Sequence, residues 1–536
     1  MRETLESLVD LIKRHPKSGA ILLGLVSAVG YPPLGFWPIA LLALSAFVAL
    51  LYHAQNWRSA MVLGWLFGWM HLTIANNWIA TAFTYQAQMP EFLGWIAVPL
   101  LCVYLAFYPA ITAAIAYFFG RSRGPLAFGV LFAGAWIVTE WMRSWVFTGY
   151  PWPPLGLMLL GGWERPGLAL LLPWLGTYAL SGLALLIAVL IVSAVRLRQR
   201  VWGLILIAAV TGGMLFPAGS VLETQQTEVK YALVQPLLLQ DELHSPSNFE
   251  RQFSRIAQLS APGREGPRLV LWPESSLPDY LEDDYPQPYY DSATAGGDPA
   301  FARRRIASII GPSSALLAGV VNLNFAANNG SVRAISARNS VLLIDGAGEI
   351  QEQYAKAHLV PYGEYLPLRN LLEPLGFSRL VAGSIDYAPG AGPATIDTRQ
   401  FGRAGIQICY EIVFSGRVVD RSNRPDYLFN PSNDGWFGLW GPPQHLGQAR
   451  LRAIEEGLPV LRSTTTGISA VVDANGIVRG AIQSGLADRL DGFIPAPKQP
   501  TLFARLGNVL PLVWALFLVL TSLWGSRLVA LFSRRR

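Results

Sequence analysis

Two textures of hydrophobic patterning divide the chain. Long apolar runs recur at 19–31, 37–52, 60–79, 92–119, 125–147, 167–195 and 201–216, with an eighth at 506–524. A helix that crosses a bilayer needs about 20 apolar residues, with a range of about 17–25, so the runs predict membrane helices; the first and seventh are short. Pro32, Pro33 and Pro38 interrupt the chain between the first two runs, as a tight connection requires. From residue 228 the pattern changes to short strand-like runs at 229–235, 268–272, 315–321, 340–344, 404–409, 427–430, 460–464 and 470–472, separated by Pro, Gly and Asn. Helical stretches at 248–259 and 444–456 lie between them. Strands alternating with helices predict an α/β domain. Residues 279–298, with Tyr289 and Tyr290, read as a mobile acidic loop. No fixed-period repeat is present.

Composition sharpens this division. Of 536 residues, 52% are hydrophobic and 14% charged, against about 25% charged in soluble proteins. Disorder, a collagen-like fibre and a disulfide-rich scaffold are excluded, and an ordinary soluble enzyme fits poorly. Residues 1–220 hold 12 Lys and Arg and 6 Asp and Glu; residues 501–536 hold 5 and none. The middle, 221–500, has 24 basic and 29 acidic residues, so the net +6 belongs to the flanks. Basic residues cluster in alternate loops: Arg2, Lys13, Arg14 and Lys17; Arg58; Arg121 and Arg123; Arg196, Arg198 and Arg200; then Arg534, Arg535 and Arg536. Arg143 and Arg165 are the exceptions. This is the positive-inside pattern of membrane proteins and not a nucleic-acid surface. Eight spans with both termini cytoplasmic satisfy every cluster and place 221–500 outside the cytoplasm. The domain division is therefore seven helices in 1–220, an exported α/β domain in 221–500, and a last helix with a basic tail in 501–536. A cleaved signal peptide is a poor reading, because further apolar runs follow at once. His71, Asn76, Asn77, Glu140 and Arg143 stand in or beside the runs. Glu140 and Arg143, spaced i, i+3, suit either a bundle-stabilising pair or a lipid-head-group cavity.

Candidate chemistry begins with the cysteines. Cys102 lies inside the fourth apolar run and reads as packing; Cys409 lies in the exported domain. Their separation makes a disulfide between them improbable. A lone thiol facing an oxidising compartment is a liability unless it has a use, and Cys409 alone suits buried filler or a nucleophile equally. Its surroundings change that balance. Cys409 closes the apolar strand 404–409, where a site can be held rigidly and still reach a cleft. Trp272-Pro273-Glu274-Ser275 follows one strand, and Lys356-Ala-His358-Leu-Val-Pro-Tyr-Gly-Glu364 follows another.

Those segments, with Ile408-Cys409-Tyr410-Glu411, resemble the Glu–Lys–Cys triad of the nitrilase superfamily. Together with the eight apolar runs, the whole chain resembles the apolipoprotein N-acyltransferases, the membrane-bound branch of that superfamily. Glu140-Trp-Met-Arg143, Ser432-Asn-Asp-Gly-Trp-Phe-Gly438, Gln444-His445, Ala449-Arg450 and Arg462-Ser-Thr464 extend the match. One segment departs: relatives tend to carry a Trp soon after the strand at 229–235, where this chain reads Pro236-Leu-Leu-Leu-Gln-Asp-Glu-Leu243.

The resemblance implies an α-helical membrane bundle of about eight transmembrane helices joined to an α-β-β-α sandwich. It implies Glu274 as general base, Cys409 as nucleophile and Lys356 as the electrostatic element, with Glu364, Tyr410 and Glu411 in support. Those roles make chemical sense. A thiol of ordinary pKa near 8.5 must become a thiolate to attack an ester carbonyl. A base takes its proton, and a cation lowers the thiol pKa and holds the oxyanion. The implied reaction takes a fatty acyl group from a phospholipid through a Cys409 thioester to the amine of an S-diacylglyceryl cysteine at an apolipoprotein N-terminus. It implies a monomer in the bacterial inner membrane, with the catalytic domain on the periplasmic side, no cofactor and no metal. An amidase or acyltransferase with another amine acceptor, or a transporter with a non-catalytic outer domain, are the alternatives. No Gly-x-Ser-x-Gly elbow or His-Glu-x-x-His motif occurs. His244, His358 and His445 are too scattered for a metal site, and His358 and His445 read as hydrogen-bonded structural residues.

Overall fold

The computed structural model describes residues 14–85, 92–197, 199–222, 224–243, 245–261, 266–328, 331–372, 374 and 385–533. Arg2, Lys13, Arg198, His244, Arg534, Arg535 and Arg536 lie outside them. The chain divides into two compact units. One comprises the described residues within Met1–Ala80, Phe92–Val221 and Pro500–Arg536; the other, those within Thr81–Glu91 and Leu222–Gln499.

The first unit is helical. Three helices are long and apolar enough to cross a membrane: Phe92–Arg123, Pro125–Arg143 and Thr177–Arg196. Four shorter apolar helices accompany them, at Pro16–Gly30, Trp37–Tyr52, Arg200–Leu215 and Val509–Trp524. The run at 60–79 becomes helix Trp57–Ala75, opened by an Asn56 side chain that accepts from Ser59 N–H. Two long runs are interrupted. Within 92–119 the ladder breaks at Ala106, because Pro109 has no N–H for the Leu105 carbonyl. Within 167–195 the regular helix begins only at Thr177, after Gly176 takes a φ of 73°. Small residues bring helices close: a Cβ on Gly64 would lie 2.7 Å from Ala113 Cβ, and one on Gly129 2.5 Å from Val189. Meanwhile Leu42, Trp95, Leu100, Phe118 and Leu204 are exposed, an outward apolar surface that suits lipid.

Polar groups inside this unit tie segments together. Arg143 donates to the carbonyls of Trp152 (3.0 Å) and Pro153 (2.9 Å) and lies 3.7 Å from Glu140, which accepts from Leu155 N–H at 2.8 Å. His71 bridges Ser27 and Tyr31 at 2.7 and 2.9 Å, and Asn76 accepts from Tyr150 at 2.7 Å.

The second unit is built on two six-stranded sheets. The first orders its strands β12 (Asp488–Pro495), β1 (Gln226–Gln235), β2 (Leu269–Leu271), β3 (Ala315–Asn328), β4 (Ser331–Asp345) and β5 (Ile350–Ala355). The second runs β11 (Val478–Ile482), β10 (Ser469–Val472), β9 (Val460–Thr464), β8 (Tyr427–Ser432), β7 (Arg403–Ile406) and β6 (Thr395–Asp397). Each has three parallel strands, β1–β3 or β7–β9, with an antiparallel strand on one side and two on the other. Alternation along the strands builds the layers. Leu233, Leu269, Leu271, Leu317 and Leu343 point inward and meet Ile406, Phe429, Leu461 and Val471 between the sheets. Their neighbours Val234, Val270, Leu316 and Leu342 point outward, against Phe253 and Ile256 of helix Phe249–Ser260 and Ile306 of helix Pro299–Ile310. Helix Gly441–Glu456 packs on the second sheet. The result is an α-β-β-α sandwich.

Two expectations change here. Residues 279–298 are not a bare acidic loop: they carry helix Gln287–Ala293, and Tyr285 and Tyr290 bond Glu282 at 2.6 Å each. The strand before Cys409 ends at Ile406, because Cys409 opens a turn of 3-10 helix, Cys409–Val413.

Candidate active site

The carboxyl ends of β2 and β5 in the first sheet bring the charged groups together, and Cys409 follows β7 of the second. After β2, Trp272 anchors the chain by donating to Ser260 Oγ (2.8 Å), and Pro273 leads into Glu274. A Cβ on Gly319 would sit 2.2 Å from the Pro273 carbonyl, so only glycine lets β3 approach the Glu274 segment so closely. Lys356 follows β5, its N–H bonded to the Asn339 carbonyl of β4 at 2.8 Å. Glu364 lies beyond a turn in which Tyr362 takes a φ of 62° and Glu364 N–H bonds Val360 O at 2.9 Å.

These groups form one buried cluster. Lys356 Nζ lies 2.9 Å from Glu364 Oε1 and 3.4 Å from Glu274 Oε1. The Asn339 amide donates to both carboxylates, at 2.7 Å to Glu274 and 3.0 Å to Glu364. Their other oxygens accept backbone N–H groups: Asn433 on Glu274 and Val360 on Glu364, each at 2.7 Å. All three charged side chains are buried.

Cys409 shares this charge field. Its backbone φ is 50°, a left-handed conformation that non-glycine residues rarely take and that marks stored strain. Burial pushes its thiol well above the ordinary range, Glu274 pushes it further, and the opposing pull of Lys356 does not compensate. Lys356 lowers the thiol pKa, as expected, but burial and Glu274 outweigh it. Burial alone would push the Lys356 ammonium down, but attraction to Glu364 and Glu274 outweighs it, and the group stays charged.

Two of the supporting residues, Tyr410 and Glu411, fall on the Cys409 turn. Glu411 Oε1 accepts from Tyr354 OH and Ala357 N–H at 2.8 Å and from His358 N–H at 3.1 Å; Oε2 accepts from Ile408 N–H at 2.8 Å. Burial pushes its carboxyl up to about 7. It thus stitches the Cys409 turn to the Lys356 segment. Tyr410 is buried edge-to-face on Phe414, with His358 also against Phe414. His445 lies within 3.1 Å of the Cys409 carbonyl and 3.0 Å of Asp434.

Asn339 was not marked by the sequence, and Asn433 only as part of the matching stretch 432–438, with no role attached. An Asn within an alternating strand carries no local signal, and Asn433 enters through its backbone N–H, which every residue except proline has.

Comparison with known proteins follows the same division. The model for the apolipoprotein N-acyltransferase N-terminal domain matches residues 23–190, and that for carbon-nitrogen hydrolases matches 230–485. Among solved structures, an amidase from Nesterenkonia sp. shares 17% identity at a TM-score of 0.33, covering 53% of this chain and 95% of that one. The apolipoprotein N-acyltransferase of Rhodopseudomonas palustris is 31% identical over 513 residues, 91% of each chain. That of Bradyrhizobium diazoefficiens is 30% identical over 526 residues, again 91% of each. A helical unit and a nitrilase-like sandwich, matched in order across nine-tenths of these relatives, make this chain a member of the apolipoprotein N-acyltransferase family.

Proposed function

We propose that this chain N-acylates lipoproteins by a two-step transfer through Cys409. The observation that carries the reading is the buried Glu274–Lys356–Glu364 cluster acting on a thiol held in a left-handed turn. In the first step the Cys409 sulfur attacks a phospholipid ester carbonyl while Glu274 takes the thiol proton. A raised thiol pKa favours proton transfer that accompanies attack over prior ionisation. Lys356 holds the oxyanion. The ester C–O bond then breaks, Glu274 returns the proton to the leaving alkoxide, and a lysophospholipid departs from the thioester. In the second step the amine of an S-diacylglyceryl cysteine attacks the thioester. The amide forms, the C–S bond breaks, and the amine's proton restores the Cys409 thiol by way of Glu274. Glu364 keeps Lys356 oriented, and Tyr410 and Glu411 hold the turn.

Donor and acceptor are both anchored in lipid, which favours a membrane-embedded enzyme. We assign eight spans in a bacterial inner membrane, with both termini cytoplasmic and the sandwich periplasmic. The alternating basic clusters and the outward apolar surface of the helical unit support this. Every group in the charged cluster comes from one chain, so a monomer suffices. Intact-mass measurement of purified protein mixed with phospholipid tests the chemistry: one added acyl mass on Cys409, labile to hydroxylamine, is expected, and no adduct overturns it. Reporters fused after Pro500 and after Arg536 should read exported and cytoplasmic; the same side for both rejects the eighth span.

A further inference from the structure

A second buried polar network lies behind the nucleophile turn, and the transfer steps do not use it. Its hub is Arg462 on β9, fully buried. One end of the guanidinium bonds Asn430 Oδ1 and, at 2.8 Å, Ser432 Oγ. The other nitrogen donates to both oxygens of Asp434, at 2.7 and 2.6 Å, and lies 2.9 Å from His445 Nδ1. Asn430 and His445 then meet at one atom. Asn430 Nδ2 lies 3.4 Å from the Cys409 carbonyl oxygen, and His445 Nε2 lies 3.1 Å from it. A single rigid fork thus orients two side chains toward the carbonyl of the residue whose φ is 50°.

The donor inventory fixes one of the two ring positions of His445. The Cys409 carbonyl only accepts, so the bond requires Nε2–H. Nδ1 lies between a donor and an acceptor, Arg462 Nη2 at 2.9 Å and Asp434 Oδ1 at 3.0 Å. Burial, aided by Arg462, pushes the imidazole pKa down, against the pull of Asp434. The ring is further held edge-on against Phe437, at 5.4 Å between centroids. Because a trans peptide is planar, a fixed Cys409 carbonyl also fixes the opposite direction of Tyr410 N–H.

We infer that His445 is a positioning residue for the acyl transfer: its Nε2–H, oriented by Arg462, locks the Cys409 carbonyl and so holds the sulfur in its attacking geometry. This rests on Cys409 being the nucleophile. It extends beyond the charged cluster, because none of Arg462, Asp434, Asn430 or His445 need touch the lipid. Small displacements of a reacting atom can cost about 10²-fold in rate, and the loss of this bond should fall in that range.

The test compares His445→Gln, whose amide nitrogen can replace Nε2–H, with His445→Met, of similar length but without a donor. Full-length protein in detergent is mixed with phospholipid, and the single-turnover rate of thioester formation is measured over a range of donor concentrations. The expected result is about 10- to 100-fold slower acylation in His445→Met at unchanged half-saturating donor, with His445→Gln within a few-fold of wild type. Equal rates in His445→Met and wild type overturn the inference. So do equally slow rates in both variants, since the donor would then be irrelevant. If His445→Met is recovered only unfolded, His445→Gln decides alone: near-normal acylation supports the lock, and slow acylation or misfolding counts against it. Wild type that forms no thioester would reject the proposed chemistry instead, a separate outcome.

Discussion

The helical unit and the sandwich both bury ion pairs, yet they use them differently. In the helical unit Arg143 and Glu140 stand 3.7 Å apart, and Arg143 commits its donors to the carbonyls of Trp152 and Pro153 while Glu140 takes Leu155 N–H. Every one of those bonds closes on backbone, so the pair acts as a clamp on the chain after its own helix. In the sandwich, Lys356 lies between two carboxylates, and both Lys356 and Glu274 act on a buried thiol. Burial of charge alone therefore does not mark a reactive site. Convergence of opposed charges on a buried thiol is what sets the proposed site apart.

The largest test of that contrast is loss of the thiol. Cys409→Ala should fold normally and form no thioester by intact mass; turnover by this variant would place the chemistry elsewhere. Next is the base. Glu274→Gln should slow thioester formation by about 10²–10⁴-fold, whereas Glu364→Gln should leave some acyl-enzyme detectable. The same Glu274→Gln carries a second signature of opposite sign. The Glu274 charge raises the thiol pKa, so removing it should increase the thiolate fraction and speed iodoacetamide alkylation of Cys409 at pH 7.5. In wild type, alkylation should keep rising with pH through about pH 9, the thiol being pushed above its ordinary value near 8.5. A plateau near neutral pH would contradict that charge balance.

The clamp should answer differently. Arg143→Met leaves Glu140 buried without its cation, a change that typically costs about 3–5 kcal/mol. A lower unfolding temperature is expected, with thioester formation per folded molecule unchanged; a selective loss of acylation in well-folded protein would erase the distinction between the two units. The smallest effect belongs to Glu411→Gln. Its amide NH₂ would face either Ile408 N–H or the three donors on the other oxygen, leaving buried donors unsatisfied at about 1–3 kcal/mol. The measured quantity is thermal stability, with a local rise in hydrogen exchange across residues 408–413.

Legibility from sequence follows how local each signal is. The strands at 229–235, 268–272 and 460–464 repeat an inside–outside pattern and stand within a few residues of their observed bounds. β11 and β12 escaped because they carry Arg479, Asp488, Arg489 and Asp491 and are only partly buried. β12 is held by pairing with β1 more than 250 residues away, Lys230 opposite Phe493. The helix Pro299–Ile310 was missed for a related reason: its arginines dilute the apolar stripe, although Asp298 caps its start.

The sequence by itself determined the division of the chain, because a long apolar run and an alternating strand are each written in consecutive residues. It also marked Glu274, Lys356, Glu364 and Cys409, because their flanking words are contiguous. Tertiary structure alone decided that Asn339 bridges the two carboxylates, that Asn433 N–H holds Glu274 across 159 positions, and that Arg462 turns His445 onto the Cys409 carbonyl. It also decided the direction in which the thiol pKa moves. That depends on burial and on the opposed fields of Glu274 and Lys356, quantities fixed by distance and dielectric in three dimensions and not by spacing along the chain.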